Sequence, residues 1–548
     1  MAVEDFKFRK PGEVRVRIAP SPTGRLHVGI VRTSLFNYLF AKKNRGSFIL
    51  RIEDTDPERS KPEYEKDIME NLKWLGIEWD EGPIAPASAS AKAQARKQNQ
   101  KYIGDYEPYR QSERGEIYKK YLEKLLADDK AYYCFCSEEE LEAQRQYQMS
   151  IGQPPIYSGK CRDLPQETVK KYLAEGKKSI IRFRTPSKKV EFDDLIRGRL
   201  EFDASLIGDI SIAKNLAIPL YNFAVVVDDF EMKISHVIRG EDHISNTPKQ
   251  ILIQEALSFP RPVYAHLPLI LGPDRSKLSK RHGTVAIAEY KKAGYLPEAL
   301  VNFMAFLGWN PGGEREIYSM VSLIKEFSLE RVQKGGAVFN IKRLDFLNGF
   351  YIRQRSVEKL TELCLPYLIS AGLISPEFKT EQYPPAYGAP EIKQIYKIPA
   401  TEEKINIDLL QKIVSIHQER LKKLSEISEL TDFFFKDKLE YNKNLLKWGE
   451  MTDEEIKDAI DKLEKILSKI KEEEWNKENL ESILMPEAEK IGLSAEALAK
   501  AGDRGYLLWP FRVALTGKEA SAGPFEIAEI MGKEKTIKRI KVARELLK

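Results

Sequence analysis

The fold is decided by the stretch Arg17-Ile-Ala-Pro-Ser-Pro-Thr-Gly-Arg-Leu-His27-Val-Gly29-Ile. Apolar residues alternate with arginines over 14–18 and predict a strand, which breaks at a Pro/Gly turn before a helix that opens at His27. The unpaired N–H groups and the dipole of a helix N-terminus attract anions such as phosphate. The stretch therefore predicts a strand, a turn and a helix that together cradle a nucleotide.

A second informative stretch, Lys277-Leu-Ser279-Lys280-Arg281, lies far along the chain on a loop flanked by Gly, Pro and Ser. Its two lysines are placed to swing onto a polyphosphate. Each stretch alone has a common alternative: the first is an ordinary helix start after a Pro turn, and the second is a solvated basic loop. Together, in this order, they predict an enzyme that adenylates its substrate with a nucleotide.

Composition limits the class of protein. The chain has 548 residues, 42% hydrophobic and 31% charged, which predicts roughly three or four domains of a soluble globular protein at about 150 residues each. The net charge of +5 does not by itself require a nucleic-acid partner. No apolar run approaches the ~20 residues that span a bilayer, the first residues lack a secretory apolar core, and four cysteines make no disulfide scaffold. We therefore expect a cytoplasmic protein without a membrane anchor.

The helix is followed by further signals of an open α/β sheet. A buried-strand pattern over 47–52 runs into the acidic turn 53–56, which places carboxylates at the carboxyl end of a strand, where such sheets bind ligands. Residues 221–229 are nearly all apolar up to two aspartates and predict a buried strand of the same sheet. The sequence therefore predicts a largely parallel sheet that resumes after an insertion.

Other segments interrupt or follow this sheet. Residues 82–101 are rich in Ala, Ser, Pro, Gln and Lys and predict a mobile surface insertion. Residues 131–205 carry clustered cysteines and short β-like runs, which indicates an inserted module. A helical pattern begins near residue 290. After a Pro-rich hinge or loop over 375–400, it continues as Lys/Glu-rich amphipathic helices to the end of the chain.

Eight motifs occur in the order in which one enzyme family carries them: Arg17-Ile-Ala-Pro-Ser-Pro-Thr-Gly, Arg51-Ile-Glu-Asp-Thr-Asp, Trp79-Asp-Glu-Gly-Pro, Tyr221-Asn-Phe, Val225-Val-Val-Asp-Asp, Val237-Ile-Arg-Gly-Glu-Asp-His, Lys277-Leu-Ser-Lys-Arg-His-Gly and Arg512-Val-Ala-Leu-Thr-Gly. On these motifs the chain resembles the bacterial-type glutamyl-tRNA synthetases, which are class I aminoacyl-tRNA synthetases. The resemblance runs nearly end to end. Only the 82–110 region, longer than in familiar relatives, lies outside it.

The resemblance implies an α/β fold: a class I Rossmann-like parallel-sheet catalytic domain with an inserted connective module, followed by α-helical stem-contact and anticodon-binding domains. The catalytic domain is expected at 1–130 and 206–270, and the acceptor-binding connective module at 131–205. The stem-contact region with its lysine loop is expected at 271–350. The α-helical anticodon-binding region is expected at 351–548.

The resemblance also implies the reaction. L-Glutamate is activated with ATP to glutamyl-adenylate and then transferred to the 3′-terminal adenosine of tRNA(Glu). Mg²⁺ accompanies ATP, bound mainly by phosphate oxygens, and the enzyme is a monomer. Two alternatives stay open: a non-discriminating enzyme that also charges tRNA(Gln), and a non-catalytic tRNA-binding paralogue. A glutaminyl-tRNA synthetase is disfavoured because that family appends β-barrels, whereas this C-terminus has a helical pattern.

Residues 27–30, His-Val-Gly-Ile, match the HIGH signature of class I. The match implies that His27 is a catalytic, ATP-binding residue and that Gly29 lets the adenine ring approach the backbone. Ile30 stands where the second histidine of the signature would be, so that histidine cannot act here. Asp242 belongs to the same implied ATP site.

Residues 277–281 match the KMSKS loop, with Leu for Met and Arg for the final Ser. Attack of the glutamate α-carboxylate on ATP builds charge on the departing pyrophosphate, and ammonium groups that engage it at that stage stabilise the transition state selectively. The resemblance therefore makes Lys280 and Lys277 catalytic candidates and places Ser279 and Lys280 in the ATP site.

Six residues match the family positions that bind glutamate. Guanidinium groups suit carboxylates through bidentate pairing, and a carboxylate suits the ammonium group. The resemblance assigns the carboxylates to Arg17 and Arg239 and the ammonium to Glu53; it adds Ala19, Ser21 and Tyr221 as pocket positions. Without the family, an exposed strand residue at 17 and a capping or surface carboxylate at 53 would be the simpler interpretations.

Cys134-Phe-Cys136 and Cys161 resemble the zinc site that some family members carry in the inserted module. Three thiolates suit Zn²⁺, although a one-residue spacer is tighter than the usual two to four. The fourth ligand is Asp163, where relatives have His, or else Tyr157. Many family members have lost the metal, so a zinc-free module stays open. Cys364 is expected in the core.

The segment 413–423 resembles the helix whose arginine reads the last anticodon base in glutamate-discriminating enzymes, and Arg420 stands at that position. Arginine can pair bidentately with the edge of a base that is splayed from a loop. The alternative is an exposed helical arginine among lysines. The aromatic run 433–435 is expected in the core rather than as a platform for bases.

Overall fold

The computed structural model describes residues 13–84, 101–279, 281, 285–377, 395–491 and 504–547. The chain divides into two compact units. The first contains the residues up to Lys291 together with Pro297–Leu347, and the second contains Lys292–Leu296 and the chain from Asn348 onward. The finer four-part division given above stays a prediction.

In the first unit the strands are β1 (Arg15–Ile18), β2 (Ser47–Leu50), β3 (Gly82–Pro83), β4 (Tyr102–Ile103), β5 (Ala131–Cys134), β6 (Ile180–Phe183), β7 (Lys189–Asp194), β8 (Gly198–Asp203), β9 (Ser211–Asn215), β10 (Ile218–Pro219), β11 (His236–Gly240), β12 (Val263–Leu267), β13 (Ile270–Leu271) and β14 (Ala337–Val338). The helices from the start of the description to residue 353 are α1 (Val28–Lys43), α2 (Pro62–Trp74), α3 (Gly115–Ala127), α4 (Glu138–Ser150), α5 (Gln166–Ala174), α6 (Tyr221–Glu231), α7 (Thr247–Leu257), α8 (Ile287–Lys292), α9 (Pro297–Ala305), α10 (Met320–Glu326) and α11 (Ile341–Arg353).

A mainly parallel sheet forms the centre of the first unit. Strand β1 runs parallel to β2, and β11 runs parallel to β12 with His236 opposite Val263. Ser235 joins the two pairs, because its backbone N–H donates to Arg15 O at 2.9 Å. Strand β7 lies parallel on the far side of β12, and β8 is antiparallel at the edge. The prediction of a Rossmann-like parallel sheet is therefore confirmed.

The predicted strand–turn–helix is present. Strand β1 is buried along most of its length, so its apolar residues line the core. His27 is the N-cap of α1, and Val31, Leu35 and Leu39 of that helix are fully buried at the spacing of one helical face. The turn between the two elements therefore lies at the carboxyl edge of the sheet.

Residues 221–229 form a helix rather than a strand, so the strand predicted there was wrong. Helix α6 spans Tyr221–Glu231, and every side chain from Phe223 to Asp229 is buried. A helix enclosed on all sides has no polar face, so its apolar run is as continuous as that of a central strand. Periodicity could not separate the two structures.

The segment 131–205 contributes to two sheets. Strands β5 and β6 pair with β9 and β10 in an antiparallel sheet of the order β10–β9–β6–β5. Hairpin β7–β8 instead joins β12 of the parallel sheet. The predicted insertion at 82–101 begins and ends in the short antiparallel pair β3–β4, and residues 85–100 lie outside the described residues.

In the second unit the elements after α11 are the helices α12 (Val357–Ser370), α13 (Ile407–Ser415), α14 (Glu426–Thr431), α15 (Asp453–Lys469), α16 (Lys477–Ile491), α17 (Gly505–Thr516), α18 (Pro524–Met531) and α19 (Lys533–Glu545), with the strands β15 (Ser375–Pro376), β16 (Ile395–Lys397) and β17 (Lys404–Asn406). The three strands form a small antiparallel sheet that the helical pattern did not predict. Residues 433–435 and Cys364 are buried, as expected. Within the described ranges, no helix is both long enough and apolar enough to cross a membrane.

Candidate active site

His27 lies at the N-terminus of α1, where a helix leaves backbone N–H groups unpaired. Its ring nitrogen Nδ1 accepts a hydrogen bond from Gly29 N–H at 3.2 Å, so the proton of the neutral imidazole lies on Nε2. A side chain at Gly29 would place its Cβ only 3.1 Å from His27 Cε1. The absence of that side chain lets the ring lie over the helix end.

Lys277 and Asp242 form an ion pair close to His27. The Nζ of Lys277 lies 3.5 Å from Oδ2 of Asp242. Partial desolvation lowers the pKa of His27, and the positive charge of Lys277 lowers it further. Two backbone hydrogen bonds of 3.0 and 2.9 Å join residues 285–287 to residues 26–28. Lys277 and residues 285–287 therefore both lie beside the N-terminus of α1.

The lysine loop begins as a hairpin, in which Leu278 N–H donates to Ile270 O at 2.9 Å. Ser279 is exposed directly after it. Lys280 and residues 282–284 lie outside the described residues, so the position of Lys280 stays a prediction.

Arg17 is buried, with 4% of its surface exposed. Its Nε and Nη2 donate to the two carboxylate oxygens of Asp229 at 3.0 and 3.2 Å. Burial raises the pKa of Asp229, but the charges of Arg17 and Arg51 outweigh it and hold that pKa below its ordinary value. Arg17 is therefore fixed by a charged partner on α6.

Arg51 extends this pair into a network of buried charges. Its Nη1 donates to Asp229 at 2.7 Å and its Nη2 to Glu53 at 3.2 Å. The neighbouring Asp228 accepts from Arg114 Nε at 2.7 Å and lies 3.7 Å from Arg51 Nε. Burial opposes the charge of Arg51, yet the carboxylates outweigh burial and raise its pKa. Three arginines and three carboxylates thus balance one another.

Arg239, in β11, has a different environment. It is 5% exposed, its Nε donates to His266 Nε2 at 3.2 Å and its Nη2 donates to Thr247 Oγ1 at 2.8 Å. Its Nη1 is buried without a hydrogen-bond partner among the described residues. Burial lowers the pKa of Arg239. This guanidinium is therefore a buried cation with neutral partners and one free donor.

Tyr221, the first residue of α6, lies close enough to both arginines for their charges to act on its hydroxyl. Burial raises its pKa, Glu53 raises it further, and Arg239 and Arg17 lower it, so these four side chains lie together. The hydroxyl of Tyr221 lies 3.0 Å from Nδ1 of His243. Burial and then the charge of Arg239 lower the pKa of His243 to about 4, which keeps its ring neutral near pH 7.

The remaining glutamate candidates lie in turns at the carboxyl ends of β1 and β2. Ala19 is half-buried and Ser21 is exposed. Glu53 N–H donates to Pro20 O at 3.1 Å and ties the two turns together. Burial raises the pKa of the Glu53 carboxyl, and Arg51 opposes that shift. All six predicted glutamate positions thus lie at one edge of the sheet.

The three predicted cysteine ligands come together beside Cys134, the last residue of β5. The sulfur atoms of Cys134, Cys136 and Cys161 lie within 4.8 Å of one another, with Cys136 and Cys161 only 3.6 Å apart. Burial raises the pKa of Cys136 to about 12. Burial also opposes ionisation of Cys134, but hydrogen bonds outweigh it and lower that pKa.

Of the two candidates for a fourth ligand, Tyr157 lies beside the cysteines and Asp163 does not. The Tyr157 hydroxyl lies 3.4 Å from Cys134 Sγ and 3.6 Å from Cys136 Sγ. The side chain of Asp163 is 86% exposed and pairs with Arg184 at 3.1 Å. Asp163 is drawn to a cation at the surface and does not join the group.

In the second unit, Arg420 is exposed in the turn that follows α13 rather than on the helix itself. Burial lowers the pKa of Arg512 on α17, and the charge of Arg420 lowers it further. The charge of Arg420 therefore reaches the Arg512 guanidinium.

Sequence reasoning missed several residues that shape this site. Asp229 and His243 stand inside quoted motifs but received no role. Asp194, Thr247 and His266 belong to the surroundings of Arg239 and have no local signature. Only the pairing of strands β7, β12 and β11 brings Asp194 and His266 to that arginine.

Two family models match the chain. Residues 13–346 match "tRNA synthetases class I (E and Q), catalytic domain", and residues 359–544 match "Anticodon binding domain". The parallel sheet and the joined helix end and lysine loop agree with that description. The chain therefore belongs to the class I tRNA synthetases for glutamate and glutamine.

Similarity to curated proteins shows which members of this class the chain resembles. The chain is 46% identical over 534 residues to "Glutamate--tRNA ligase 1" of Caldicellulosiruptor saccharolyticus, covering 96% of this chain and 98% of that protein. It is 44% identical over 528 residues to the glutamate–tRNA ligase of Carboxydothermus hydrogenoformans, covering 96% and 99%. Within the class, the chain belongs with the glutamate–tRNA ligases.

A solved structure agrees along the whole chain. The crystal structure of a glutamate tRNA ligase from Elizabethkingia meningosepticum in complex with its amino acid superposes with a TM-score of 0.77 at 33% identity. The match covers 98% of this chain and 100% of that one.

Proposed function

We propose that the chain activates L-glutamate with ATP and transfers it to the 3′-terminal adenosine of tRNA(Glu), acting as a monomer in the cytoplasm. The observation that carries the proposal is the meeting of His27 and Lys277 at Asp242. A helix N-terminus with a ring N–H and a lysine beside it suits a polyphosphate. This place adjoins the edge of the sheet where Arg239 lies.

Arg239 supports glutamate as the substrate. A buried cation with only neutral partners is unstable unless an anion joins it. The free Nη1 donor of Arg239 can bind a substrate carboxylate, and Arg17 offers the second guanidinium nearby. Glu53 supplies a carboxylate for the substrate ammonium, while Ala19, Ser21 and Tyr221 line the pocket.

The first reaction step needs no side-chain nucleophile. An oxygen of the glutamate α-carboxylate attacks the α-phosphorus of ATP, and the bond from that phosphorus to the bridging oxygen of pyrophosphate breaks. His27, through its Nε2–H and with Gly29 behind it, donates to a phosphate oxygen, and Lys277, Ser279 and Lys280 bind the departing pyrophosphate. Mg²⁺ would be held mainly by phosphate oxygens and would offset their charge.

The second step transfers the glutamyl group. A hydroxyl of the terminal adenosine attacks the carbonyl carbon of the adenylate, and AMP leaves with the electron pair of the broken C–O bond. In the second unit, Arg420, with Arg512 close by, is proposed to read an anticodon base. Charging of tRNA(Gln) as well is the alternative that the sequence leaves open.

Pyrophosphate exchange tests the adenylation site. We expect Lys280→Ala to slow glutamate-dependent exchange by about 10²- to 10³-fold, the cost of losing one transition-state donor. Lys66→Ala, which removes an exposed lysine on α2, is the matched control and should keep full activity. Undiminished exchange in Lys280→Ala would remove the assigned role.

Aminoacylation with purified tRNA tests the specificity. We expect tRNA(Glu) to be charged, and an Arg420→Ala variant to lose charging efficiency by about 10-fold or more, since a good base contact contributes about 1–3 kcal/mol. Equal charging of tRNA(Gln) would establish the non-discriminating alternative. A protein that charges neither tRNA would be the non-catalytic paralogue.

The cysteine cluster is proposed to hold Zn²⁺ through Cys134, Cys136 and Cys161, with Tyr157 as the fourth ligand in place of Asp163. Sulfur atoms on a tetrahedral zinc lie about 3.8 Å apart, close to the 3.6 Å between Cys136 and Cys161. The ion would crosslink β5 to the chain at 161. Metal content of purified Tyr157→Phe and Asp163→Asn proteins distinguishes the two ligands, because only the first substitution should reduce zinc.

A further inference from the structure

His266 lies directly beside Arg239, because β12 pairs with β11 in a register that puts these two residues opposite each other. Neighbours in a parallel pair point to the same face of the sheet. The Nε of Arg239 donates to Nε2 of His266 at 3.2 Å, and Thr247 Oγ1 lies 3.1 Å from the same nitrogen. His266 is fully buried, so this contact is shielded from water.

Asp194, the last residue of β7, holds the other side of the imidazole. Its Oδ2 lies 2.6 Å from Nδ1 of His266 and accepts from the backbone N–H of His266 at 3.0 Å. Its Oδ1 accepts from the backbone N–H groups of Ile196 and Arg197 at 2.9 and 2.8 Å. Both carboxylate oxygens are therefore anchored, and the orientation of the carboxylate is fixed.

These contacts determine the tautomer of His266. The Nε–H of an arginine can only donate, so Nε2 of His266 must accept and the ring proton must lie on Nδ1, where it is donated to Asp194. Burial and the neighbouring arginines lower the pKa of His266, although Asp194 opposes them. The ring is therefore neutral.

We propose that Asp194 and His266 are positioning residues for Arg239. Asp194 fixes the tautomer, His266 holds Nε, and Thr247 holds Nη2, so that Nη1 points to the substrate carboxylate. This inference rests on the proposed role of Arg239 in binding glutamate.

The chemistry explains why an imidazole rather than a carboxylate holds this arginine. A carboxylate bonded to Nε of Arg239 would supply a counter-charge in direct contact and would compete with the substrate. A neutral ring orients the guanidinium and leaves its positive charge for the ligand. The charge of Asp194 is separated from Arg239 by the ring.

Asp194→Asn is the sharpest test. One oxygen position accepts from two backbone N–H groups, those of Ile196 and Arg197, and the other accepts from one, that of His266, so the amide should keep its oxygen toward the two. Its NH₂ then faces His266 and donates to Nδ1, which moves the ring proton to Nε2 and sets it against Arg239 Nε–H. The chain has six histidines, so ¹⁵N-histidine NMR can be assigned by loss of one signal in His266→Gln. We expect the Nδ1–H tautomer in the unsubstituted protein and the Nε2–H tautomer in Asp194→Asn.

Kinetics then test the consequence. We expect Asp194→Asn to raise the KM for glutamate by about 10- to 100-fold, as for loss of a hydrogen bond to a charged group, and to change the KM for ATP less than about 2-fold. His266→Gln keeps an acceptor for Arg239 and should raise the KM for glutamate less than His266→Leu does. His236→Gln removes a buried histidine of β11 that packs on Phe40 and should leave the KM for glutamate unchanged.

The outcomes separate this inference from the proposed function. If Arg239→Ala leaves the KM for glutamate unchanged, the proposed binding role of Arg239 fails. If Arg239→Ala raises the KM for glutamate but Asp194→Asn and His266→Leu do not, only the positioning role fails. An Nε2–H tautomer in the unsubstituted protein would also overturn it, whatever the kinetics show.

Discussion

Two arginines at the edge of the central sheet are buried to nearly the same extent and have opposite surroundings. Arg17 shares a bidentate ion pair with Asp229, inside a network where three arginines meet three carboxylates. Arg239 hydrogen-bonds to a neutral imidazole and a hydroxyl and lies 5.8 Å from the centroid of the Tyr264 ring, and its Nη1 has no hydrogen-bond partner among the described residues. Arg17 thus has a carboxylate counter-charge in direct contact, whereas the hydrogen-bond partners of Arg239 carry no charge.

Within the network of three buried arginines and three carboxylates, we expect the largest loss of stability from substitution of Asp228. This side chain accepts hydrogen bonds from Arg114, Tyr118 and Gln111. We expect Asp228→Ala to lower the free energy of unfolding by about 3–5 kcal/mol, because it leaves buried arginines without their counter-charge. Denaturant unfolding measures this change.

The matched control for that prediction is Glu70→Ala, which removes an exposed carboxylate 3.7 Å from Lys66. Its effect should stay within about 0.5 kcal/mol. Equal destabilisation by the two substitutions would mean that the buried charges do not form a supporting network.

The same substitution made at Arg17 and at Arg239 tests the difference between their surroundings. Arg17→Met leaves Asp229 with one cation fewer and should lower the free energy of unfolding by about 1–3 kcal/mol. Arg239→Met removes an unbalanced buried charge, so stability without ligand should change by less than about 1 kcal/mol. The same Arg239→Met variant should raise the KM for glutamate by about 100-fold, as for loss of a buried charged contact.

Thermal unfolding with and without glutamate adds a second measurement on the same proteins. Glutamate should stabilise the unsubstituted protein by mass action, by about 2.7 kcal/mol at 100 times its Kd, and should not stabilise Arg239→Met at the same concentration. Loss of stability without ligand in Arg239→Met equal to that in Arg17→Met would contradict the comparison.

A pH-dependent effect is expected from His243, whose pKa is lowered to about 4 by burial and by the charge of Arg239. Between that value and the ordinary pKa near 6.5 the unfolded chain binds more protons, so stability rises with pH across this window and is lost as pH falls. We expect His243 to account for about 2 kcal/mol of the loss between pH 7 and pH 4. His243→Gln should reduce the difference in denaturation midpoint between the two pH values.

Arg239→Met should in addition raise the pKa of His243 toward its ordinary value, because it removes one of the charges that depress it. NMR titration of the histidine ring measures this shift. An unchanged His243 pKa in Arg239→Met would mean that the charge of Arg239 does not reach the ring.

The parts of the site that depend on local chemistry could be predicted from the sequence. A Pro/Gly turn followed by a capping histidine specifies where α1 begins, and the lysine loop is visible as a motif. The position of α6 could not be derived in this way, because a helix buried on every side has the same continuous apolar pattern as a central strand. Asp228 and Asp229, in the last half of that helix, face arginines that lie far away in the sequence.

The surroundings of Arg239 could not be predicted from the sequence for a different reason. Nothing near Asp194 or His266 in the sequence marks them, since their contact depends on how three strands align. Tyr157 and Asp163 show the same difficulty on a smaller scale: both stand at ligand-like distances along the chain from Cys161, and only the fold shows that a neighbouring arginine draws Asp163 away.

Hairpin β7–β8 supplies Asp194 from the stretch of chain that interrupts the two halves of the parallel sheet. An engineer who trimmed that stretch to make a minimal enzyme would remove Asp194, the proposed support of Arg239, along with the excised module. Any shortened version should therefore retain residues 189–203, even if it discards the cysteine cluster that precedes them.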